Sequence, residues 1–435
     1  MYQKIKTTFA AAALLGGAAA SALAYPDRVI SLPGYAKPLT EQYSGYVTLS
    51  SNAESPAMYY YLVRADHATP ATPVILWLNG GPGASSFYGF FTENGPYTLD
   101  AKLKLHDNPS GWNHKFNYLI FDQPLGVGYS APKKGYTLKN QAQATHELYL
   151  ALQAIYLKYP DLRQRKLFIA GESYAGRYIP EVAIEILQHN FLAQQPSIPL
   201  AGIILGDAWV NPLLQQAQDA AYAYSHGLID RQGAVAVTRL YKRCAQAIQA
   251  TAITTRAANR ECGKISAYIA KKSGVDLHNL HNLPQALNKY ATDYANLERY
   301  LNLSTVKHSL HVASGVKFSL GSPTVANNLE IGEQNSVESL IPQLLKRQVK
   351  ALIYTGLEDA KDCNFLGTNL WLKDMHWGNF NQAPQKITYN SAGEIIGYST
   401  NYRNLSYVKL FSAGHMAAQD QAQNCLEVIQ KFIGN

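Results

Sequence analysis

Lys166-Leu167-Phe168-Ile169-Ala170-Gly171-Glu172-Ser173-Tyr174-Ala175-Gly176 is the stretch from which the rest of the chain can be read. An apolar run stops at a glycine, and a single serine follows, flanked further on by small residues. A strand that ends in a tight turn, with a helix after it, lifts the Ser173 hydroxyl out of a sheet. The same turn leaves backbone N–H groups facing a developing oxyanion. Ala175 and Gly176 are small enough for strand and helix to pack closely. This is the geometry of a nucleophile elbow, and it names a reaction class. Gly-x-Ser-x-small also occurs in ordinary turns, so the flanking elements have to carry the rest of the reading.

Outward from the serine, strand-like and helix-like segments alternate. Val74-Ile75-Leu76-Trp77-Leu78 and Tyr118-Leu119-Ile120-Phe121 are continuous apolar runs, as expected of strands buried on both faces. Across residues 138–159, Ala144, Leu148, Leu152, Ile155 and Tyr159 recur at helical spacing. A helix is expected from about residue 180 to 191, then a strand over 201–205. The βαβ rhythm predicts an α/β fold with a mostly parallel sheet covered by helices. Between about 213 and 340 the chain turns to Ala, Gln, Asn and Tyr, with helical patches in which Leu297, Tyr300 and Leu301 mark one face. This is read as a cap inserted into one catalytic domain that spans 25–435. Strand patterns return at 351–354 and 407–411, and a helix over about 421–432 closes the chain.

The 435 residues are 47% hydrophobic, enough for a sizeable core. Lys4 and Lys6, an apolar stretch over 9–20 and Ala22-Leu23-Ala24 resemble a secretory signal cleaved after Ala24, so a secreted or periplasmic protein is expected. No later stretch has the roughly 18 consecutive apolar residues of a membrane span. Removing Lys4 and Lys6 takes the formal charge from +8 to +6. That excess is spread thinly, which speaks against nucleic acid as a partner. Four cysteines in an exported chain suggest two disulfides. Cys244 and Cys262, close in sequence, are expected to close a local loop, which leaves Cys363 and Cys425. With no CxxC and no HExxH, neither a metal site nor a thiol redox site is signalled, and no cofactor is expected.

A serine hydroxyl is a weak nucleophile that needs a base, itself oriented by a third group. Both partners are sought at strand ends, where an α/β sheet places its site. Thr355-Gly356-Leu357-Glu358-Asp359 follows one late strand and Ser412-Ala413-Gly414-His415-Met416 follows the other. The order Ser173, Asp359, His415 is that of α/β-hydrolases. Glu358 and Asp362 are rival carboxylates. One oxyanion donor is expected from the N–H of Tyr174. The other is expected from Asn79-Gly80-Gly81-Pro82-Gly83-Ala84-Ser85-Ser86, whose glycines let backbone approach a substrate. A phosphate loop is the weaker reading of that stretch, because Pro82 interrupts it and no Lys-Ser/Thr follows.

Trp77-Leu78-Asn79-Gly80-Gly81-Pro82-Gly83, Gly171-Glu172-Ser173-Tyr174-Ala175-Gly176 and Gly414-His415-Met416 together resemble the three signatures of the serine carboxypeptidases. Asn108-Pro109 with Trp112-Asn113, Asp122-Gln123-Pro124, Gly126-Val127-Gly128 and Arg177-Tyr178-Ile179-Pro180 are also similar to that family. The resemblance runs from about residue 40 to the C-terminus and is thin in the insertion. It implies an α/β-hydrolase that removes single residues from peptide or protein C-termini at acid pH. It implies that Asn79, Glu93 and Glu172 hold the terminal carboxylate, with Gly80 in the same loop. It implies oxyanion N–H groups from Gly81 and Tyr174. Met416 and Phe87 are expected on the leaving-residue side, and Tyr174 on the acyl side.

The chain also departs from the family pattern. Ala84 stands where many relatives have a bridging Cys, and Ala417-Ala418 where relatives usually have Val-Pro. The Asp loop reads Gly-Leu-Glu-Asp and carries one extra residue before Cys363. If Asp359 and His415 meet, the segments bearing Cys363 and Cys425 are neighbours. A disulfide between those two cysteines is then the expectation, although many relatives keep a free Cys near the Asp.

Two carboxyl groups side by side cannot easily both ionise, so Glu93 and Glu172 are expected to share a proton. Two other functions fit the fold: an acyltransferase using the same nucleophile, and a non-catalytic protein that protects a partner. The intact Asn79, Glu93 and Glu172 set argues for peptide carboxylates, and the complete triad argues against a merely binding role. Asn302-Leu303-Ser304 and Asn404-Leu405-Ser406 are glycosylation sequons if the producing cell glycosylates. Oligomeric state is not legible.

Overall fold

The apolar runs become strands because their residues alternate between two separate cores. In β3 (Val74–Leu78), Val74, Leu76 and Leu78 face one layer while Ile75 and Trp77 face the other. β7 (Leu167–Ser173) divides the same way, with Leu167 and Ile169 on one side and Phe168 and Ala170 on the other. A computed structural model describes residues 26–50, 56–130, 135–192, 197–282, 289–361 and 363–434. The expected leader with its cleavage point after Ala24, and the rival carboxylate Asp362, lie outside the described residues.

The remaining strands in chain order are β1 (Gln42–Thr48), β2 (Ala57–Val63), β4 (Tyr97–Leu99), β5 (Leu105–Asp107), β6 (Asn117–Phe121), β8 (Leu200–Ala208), β9 (Lys350–Gly356), β10 (Lys386–Tyr389), β11 (Ile395–Tyr402) and β12 (Leu405–Leu410). Ten of the twelve strands among the described residues form one sheet in the order β1-β2-β6-β3-β7-β8-β9-β12-β11-β10, and β4 pairs with β5 apart from it. The six central strands, β6 to β12 in that order, are parallel. Antiparallel pairs finish both edges. This is the α/β-hydrolase architecture that the sequence predicts.

Helix α1 (Phe87–Thr92) follows the Gly-rich loop. Helices α2 (Gln141–Lys158) and α3 (Ala175–Leu192) cover one face of the sheet. Asn140 caps α2 by accepting the Gln143 N–H at 3.0 Å. The helix expected from residue 180 begins at Ala175, directly after the elbow, and Pro180 lies inside it. The chain between β8 and β9 holds only helices and loops among the described residues. Two of them, Arg231–Gln249 and Arg256–Ser273, pack around a small core of their own that includes Val237, Ile265 and Ile269, and the Cys244–Cys262 disulfide joins them. The helix Lys289–Leu301 instead inserts Leu297, Tyr300 and Leu301 into the main core, where Tyr300 meets Phe91 at 5.7 Å. The inserted segment is therefore part independent cap and part wall of the main domain.

The expected Cys363–Cys425 disulfide is absent. Cys363 packs in the core layer under α2 and α3, whereas Cys425 packs in the layer on the opposite face of the sheet. Both are buried, and Cys425 Sγ donates to the Ala417 carbonyl at 3.2 Å. The strands carrying the Asp and His loops are neighbours, but the two thiols lie on different sides of them. Both sequon amides are committed to backbone. Asn302 Nδ2 donates to the Glu298 and Phe318 carbonyls, and Asn404 Nδ2 to those of Leu345 and Val349.

Candidate active site

β7 ends at Ser173 with φ at +59°, the left-handed region that an L-residue adopts only under constraint, at a cost of about 1–3 kcal/mol. The constraint comes from both sides. The Ser173 carbonyl accepts the Trp209 N–H at 2.9 Å. On the other side Gly80 lies flat on the turn: a Cβ there would sit 2.5 Å from the Tyr174 nitrogen and 2.8 Å from Ser173 Cβ. Gly81 holds φ at +112°, which keeps the loop pressed against the elbow. The loop is tied to the inserted segment by backbone bonds, Ser85 N–H to the Leu320 carbonyl at 2.8 Å and Ser322 N–H to the Gly83 carbonyl at 2.9 Å. These hold the loop where the family's cysteine bridge is missing at Ala84.

His415 Nδ1 lies 2.8 Å from Asp359 Oδ2, with the histidine 4% and the aspartate 0% exposed. Asp359 Oδ1 accepts the Lys361 N–H at 2.9 Å, which turns the other oxygen toward the imidazole. The rival Glu358 points away, 3.6 Å from His281. Residues 276–282 of the insertion grip both loops. His415 N–H donates to the His278 carbonyl at 2.6 Å, Ala360 N–H to that of Leu277 at 2.9 Å, and Leu280 N–H to that of Glu358 at 3.2 Å. Asp420 completes the clasp by accepting from Gly414 N–H and from Asn279 Nδ2, each at 2.8 Å.

The sequence reading did not find these residues, nor Asp207, because none belongs to a motif. Asp207 accepts the Gly356 N–H at 2.9 Å. Burial, and then the charge of Asp359, push its carboxyl well above the usual range. The His278 ring lies 5.4 Å from that of His415, and burial lowers its pKa.

Asn79, Glu93 and Glu172 meet beside the serine. Asn79 Oδ1 accepts from Trp77 Nε1 at 2.9 Å and from the Gly89 N–H at 3.0 Å, which fixes the orientation of the amide. Its Nδ2 donates to Glu172 Oε1 at 2.9 Å and Glu93 Oε1 at 3.1 Å. Burial pushes Glu93 up to about 7. Burial, then the charge of Glu93 and a hydrogen bond with it, raise Glu172 well above the usual range. Two carboxyl groups can hydrogen-bond to each other only through a proton, so the pair retains one where ordinary carboxyls are ionised.

Ser173 stands where two cavities meet. One, of about 610 Å³, is lined by Asn79, Gly80, Glu172, His415 and Met416, with Tyr88, Tyr290 and Tyr294 giving it aromatic walls. The other, of about 380 Å³, is lined by Tyr174, Trp209 and polar residues of the insertion such as Glu330 and Glu333. Gly81, Ser173 and Lys361 border both. Glu93 lies behind Asn79 and outside the cavity lining. Phe87, expected at the leaving-residue side, is wholly buried among Tyr59, Phe91 and Tyr129. Its side of the helix faces the core, and Tyr88 reaches the cavity in its place. Asp359, Cys363 and His415 offer three donor atoms within 4.8 Å of one another, but the Asp359–His415 hydrogen bond engages two of them.

The family model described as serine carboxypeptidase matches residues 33–435. The chain belongs to the serine carboxypeptidase family. This makes the enzyme a hydrolase of the serine-type carboxypeptidase class. It is 34% identical over 407 residues to "Serine carboxypeptidase S10 family member 1" of Dictyostelium discoideum, covering 91% of this chain and 95% of that one. It is 29% identical to carboxypeptidase Y of Candida albicans, covering 90% of this chain and 73% of the other. Among solved structures it matches Kex1(delta)p, a prohormone-processing carboxypeptidase from Saccharomyces cerevisiae, with a TM-score of 0.81, 23% identity and coverage of 91% and 92%. That likeness bears on the fold.

Proposed function

We propose that the enzyme is exported and releases single residues from peptide C-termini at acid pH, through an acyl-enzyme on Ser173. The observation that carries this reading is the buried Asn79–Glu172–Glu93 cluster beside the serine. An amide and a carboxyl that keeps its proton, Asn79 and Glu172, line the cavity beside the serine with Glu93 behind them, a set suited to a terminal carboxylate and without a partner in an internal peptide bond. In the proposed mechanism Ser173 Oγ attacks the last peptide carbonyl while His415 takes its proton. Asp359 holds the imidazole and stabilises the imidazolium. The N–H groups of Gly81 and Tyr174 receive the oxyanion. His415 returns the proton to the departing amine, then activates a water that hydrolyses the ester. Met416, Tyr88 and Tyr290 flank the leaving residue, and Tyr174 flanks the acyl side.

Release of leucine from benzyloxycarbonyl-Phe-Leu between about pH 4 and 8, by wild type and Ser173→Ala, tests the reading. Acid-favoured release that disappears in the variant is the expected result. No release, with Ser173 still labelled by an organophosphorus reagent, would turn the assignment toward acyl transfer. Failure to label at all would favour a binding role. N-terminal sequencing of exported protein tests the leader, with Tyr25 as the expected first residue.

A further inference from the structure

α2 and α3 lie side by side on one face of the sheet, and three metal-ligating side chains meet across their seam. Glu185 and His189 are one helical turn apart on α3, so they share a face. His146, in the second turn of α2, stands opposite them. His146 Nδ1 is 2.6 Å from Glu185 Oε1, and His189 Nε2 is 3.8 Å from the same oxygen. The donor atoms of all three lie within 4.8 Å of one another. We propose that His146, Glu185 and His189 form a site for a divalent transition-metal ion of the zinc class, with water in the fourth position, that cross-links α2 to α3.

The site is distinct from the Ser173 cavities, and none of its residues lines them. Two imidazoles and a carboxylate are a common ligand set for zinc in a tetrahedral site that keeps one open position. With metal–ligand distances near 2.0–2.1 Å, donors in such a site sit roughly 3.3 Å apart, so the His189–Glu185 gap of 3.8 Å has to shorten a little and the His146–Glu185 gap of 2.6 Å to open as the ion replaces the hydrogen bond there. Part of the site is already ordered. Tyr149, buried and one turn beyond His146, stacks on the His189 ring at 4.2 Å between centroids and 12° between planes. This fixes the plane in which the His189 donor nitrogen lies. Glu185 is 17% exposed and His146 55%, which gives an anchored carboxylate and an open approach for a hydrated ion. The charge is favourable as well. With neutral imidazoles the set carries one negative charge, near the C-terminal end of α3, where the helix carbonyls favour a cation. The plain alternative is a His146–Glu185 ion pair that binds nothing further.

Titration of metal-free full-length protein with Co2+ at about pH 7.5, followed by displacement with Zn2+, separates the two. The expected result is a saturable visible absorption of tetrahedral Co2+ at one ion per chain, without a near-ultraviolet thiolate charge-transfer band. Excess Zn2+, at about 100 times Kd, should raise Tm by roughly 2–5 °C. Glu185→Gln, His189→Ala and His146→Ala should each weaken binding about tenfold or more. His189→Ala also removes the stack on Tyr149, so the exposed His146→Ala, which should keep wild-type peptide release, is the deciding variant. No saturable absorption, absorption unchanged in His146→Ala, or a thiolate band that would place the ion at Cys363 would each overturn the proposal.

Discussion

Asn79 has no freedom to turn. Its carbonyl oxygen receives two N–H groups, so its amide nitrogen must face the two glutamates. The cluster thus has a fixed donor and a proton that depends on pH. At acid pH the pair is protonated and can donate to a substrate carboxylate. As pH rises through about 7, where Glu93 titrates, the pair loses the first of its protons and a carboxylate comes to face the substrate anion, while Glu172, raised further by that charge, keeps the other. KM for a blocked dipeptide should therefore rise about tenfold or more between pH 5 and 8, with kcat changing less. Glu172→Gln, which keeps an amide donor at every pH, should flatten that rise, and a KM in wild type that stays constant over the range would refute the shared proton. Asn79→Ala removes the donor that holds both glutamates in place and should raise KM at all pH values, by about tenfold for lost hydrogen bonds to carboxyl groups. Asn79 and Glu172 were legible because they stand beside a glycine and the serine, and Glu93 because the family resemblance places a carboxyl about a dozen residues after the Gly-rich loop. Asp207, His278 and Asp420 were not, since a buried polar residue that acts across the fold leaves no local pattern.

At the scale of elements, the candidate Asp and His loops are held by a part of the chain that reads as featureless. The clasp from residues 276–282 and Asp420 fixes where His415 sits, and its His278 also lines the cavity beside Ser173. Asp420→Ala frees the Gly414 N–H, the Asn279 amide and the hydroxyl of the cavity residue Tyr290 together. The expected outcome is a kcat about 10 to 100 times lower, whereas Tyr290→Phe, which releases only the hydroxyl, should leave kcat within about threefold; an unchanged kcat in Asp420→Ala would show that the loop holds its place without it. The six central strands were readable because both their faces are buried and the runs are continuous. β1, β2, β10 and β11 escaped notice. Tyr59, Tyr60 and Tyr61 in β2 pack inward and are fully buried, yet a run of tyrosines lacks the aliphatic signature of a strand. The start of α3 was misplaced because Pro180 reads as a first-turn residue, whereas the tight turn at Ser173 sets the helix start. The disulfide error has a similar root: adjacency of loops was inferred correctly, but the face of the sheet on which each thiol lies cannot be read from chain order.

For the whole molecule, buried carboxyls set an unusual dependence on pH. Glu93 and Asp122 are each pushed up to about 7 by burial, and Glu172 and Asp207 are raised well above the usual range. The folded chain holds protons that the unfolded chain releases near pH 4. Their contribution to stability is therefore complete below that pH and is lost as pH rises through the folded values, on the order of 3 kcal/mol for a group shifted to about 7. His278, lowered by burial, acts in the opposite sense below its unfolded value. Tm should be higher at pH 5 than at pH 7.5, and the opposite order by calorimetry would contradict the carboxyl assignment. Thiol titration should find two reactive sulfurs per chain after denaturation without reductant, and none would restore the second disulfide.

The long insertion departs after β8 and returns at β9, two strands that are hydrogen-bonded neighbours in the sheet. Such an excursion begins and ends at nearly one place, so another could in principle be grafted between the same two strands. The clasp limits that modularity. A transplanted segment would have to reproduce the backbone positions of Leu277, His278 and Leu280, or the sheet would keep its nucleophile and lose the alignment of its base. Divergence of this region among relatives should therefore follow two tempos, rapid along the cap helices and slow at three inconspicuous anchor positions.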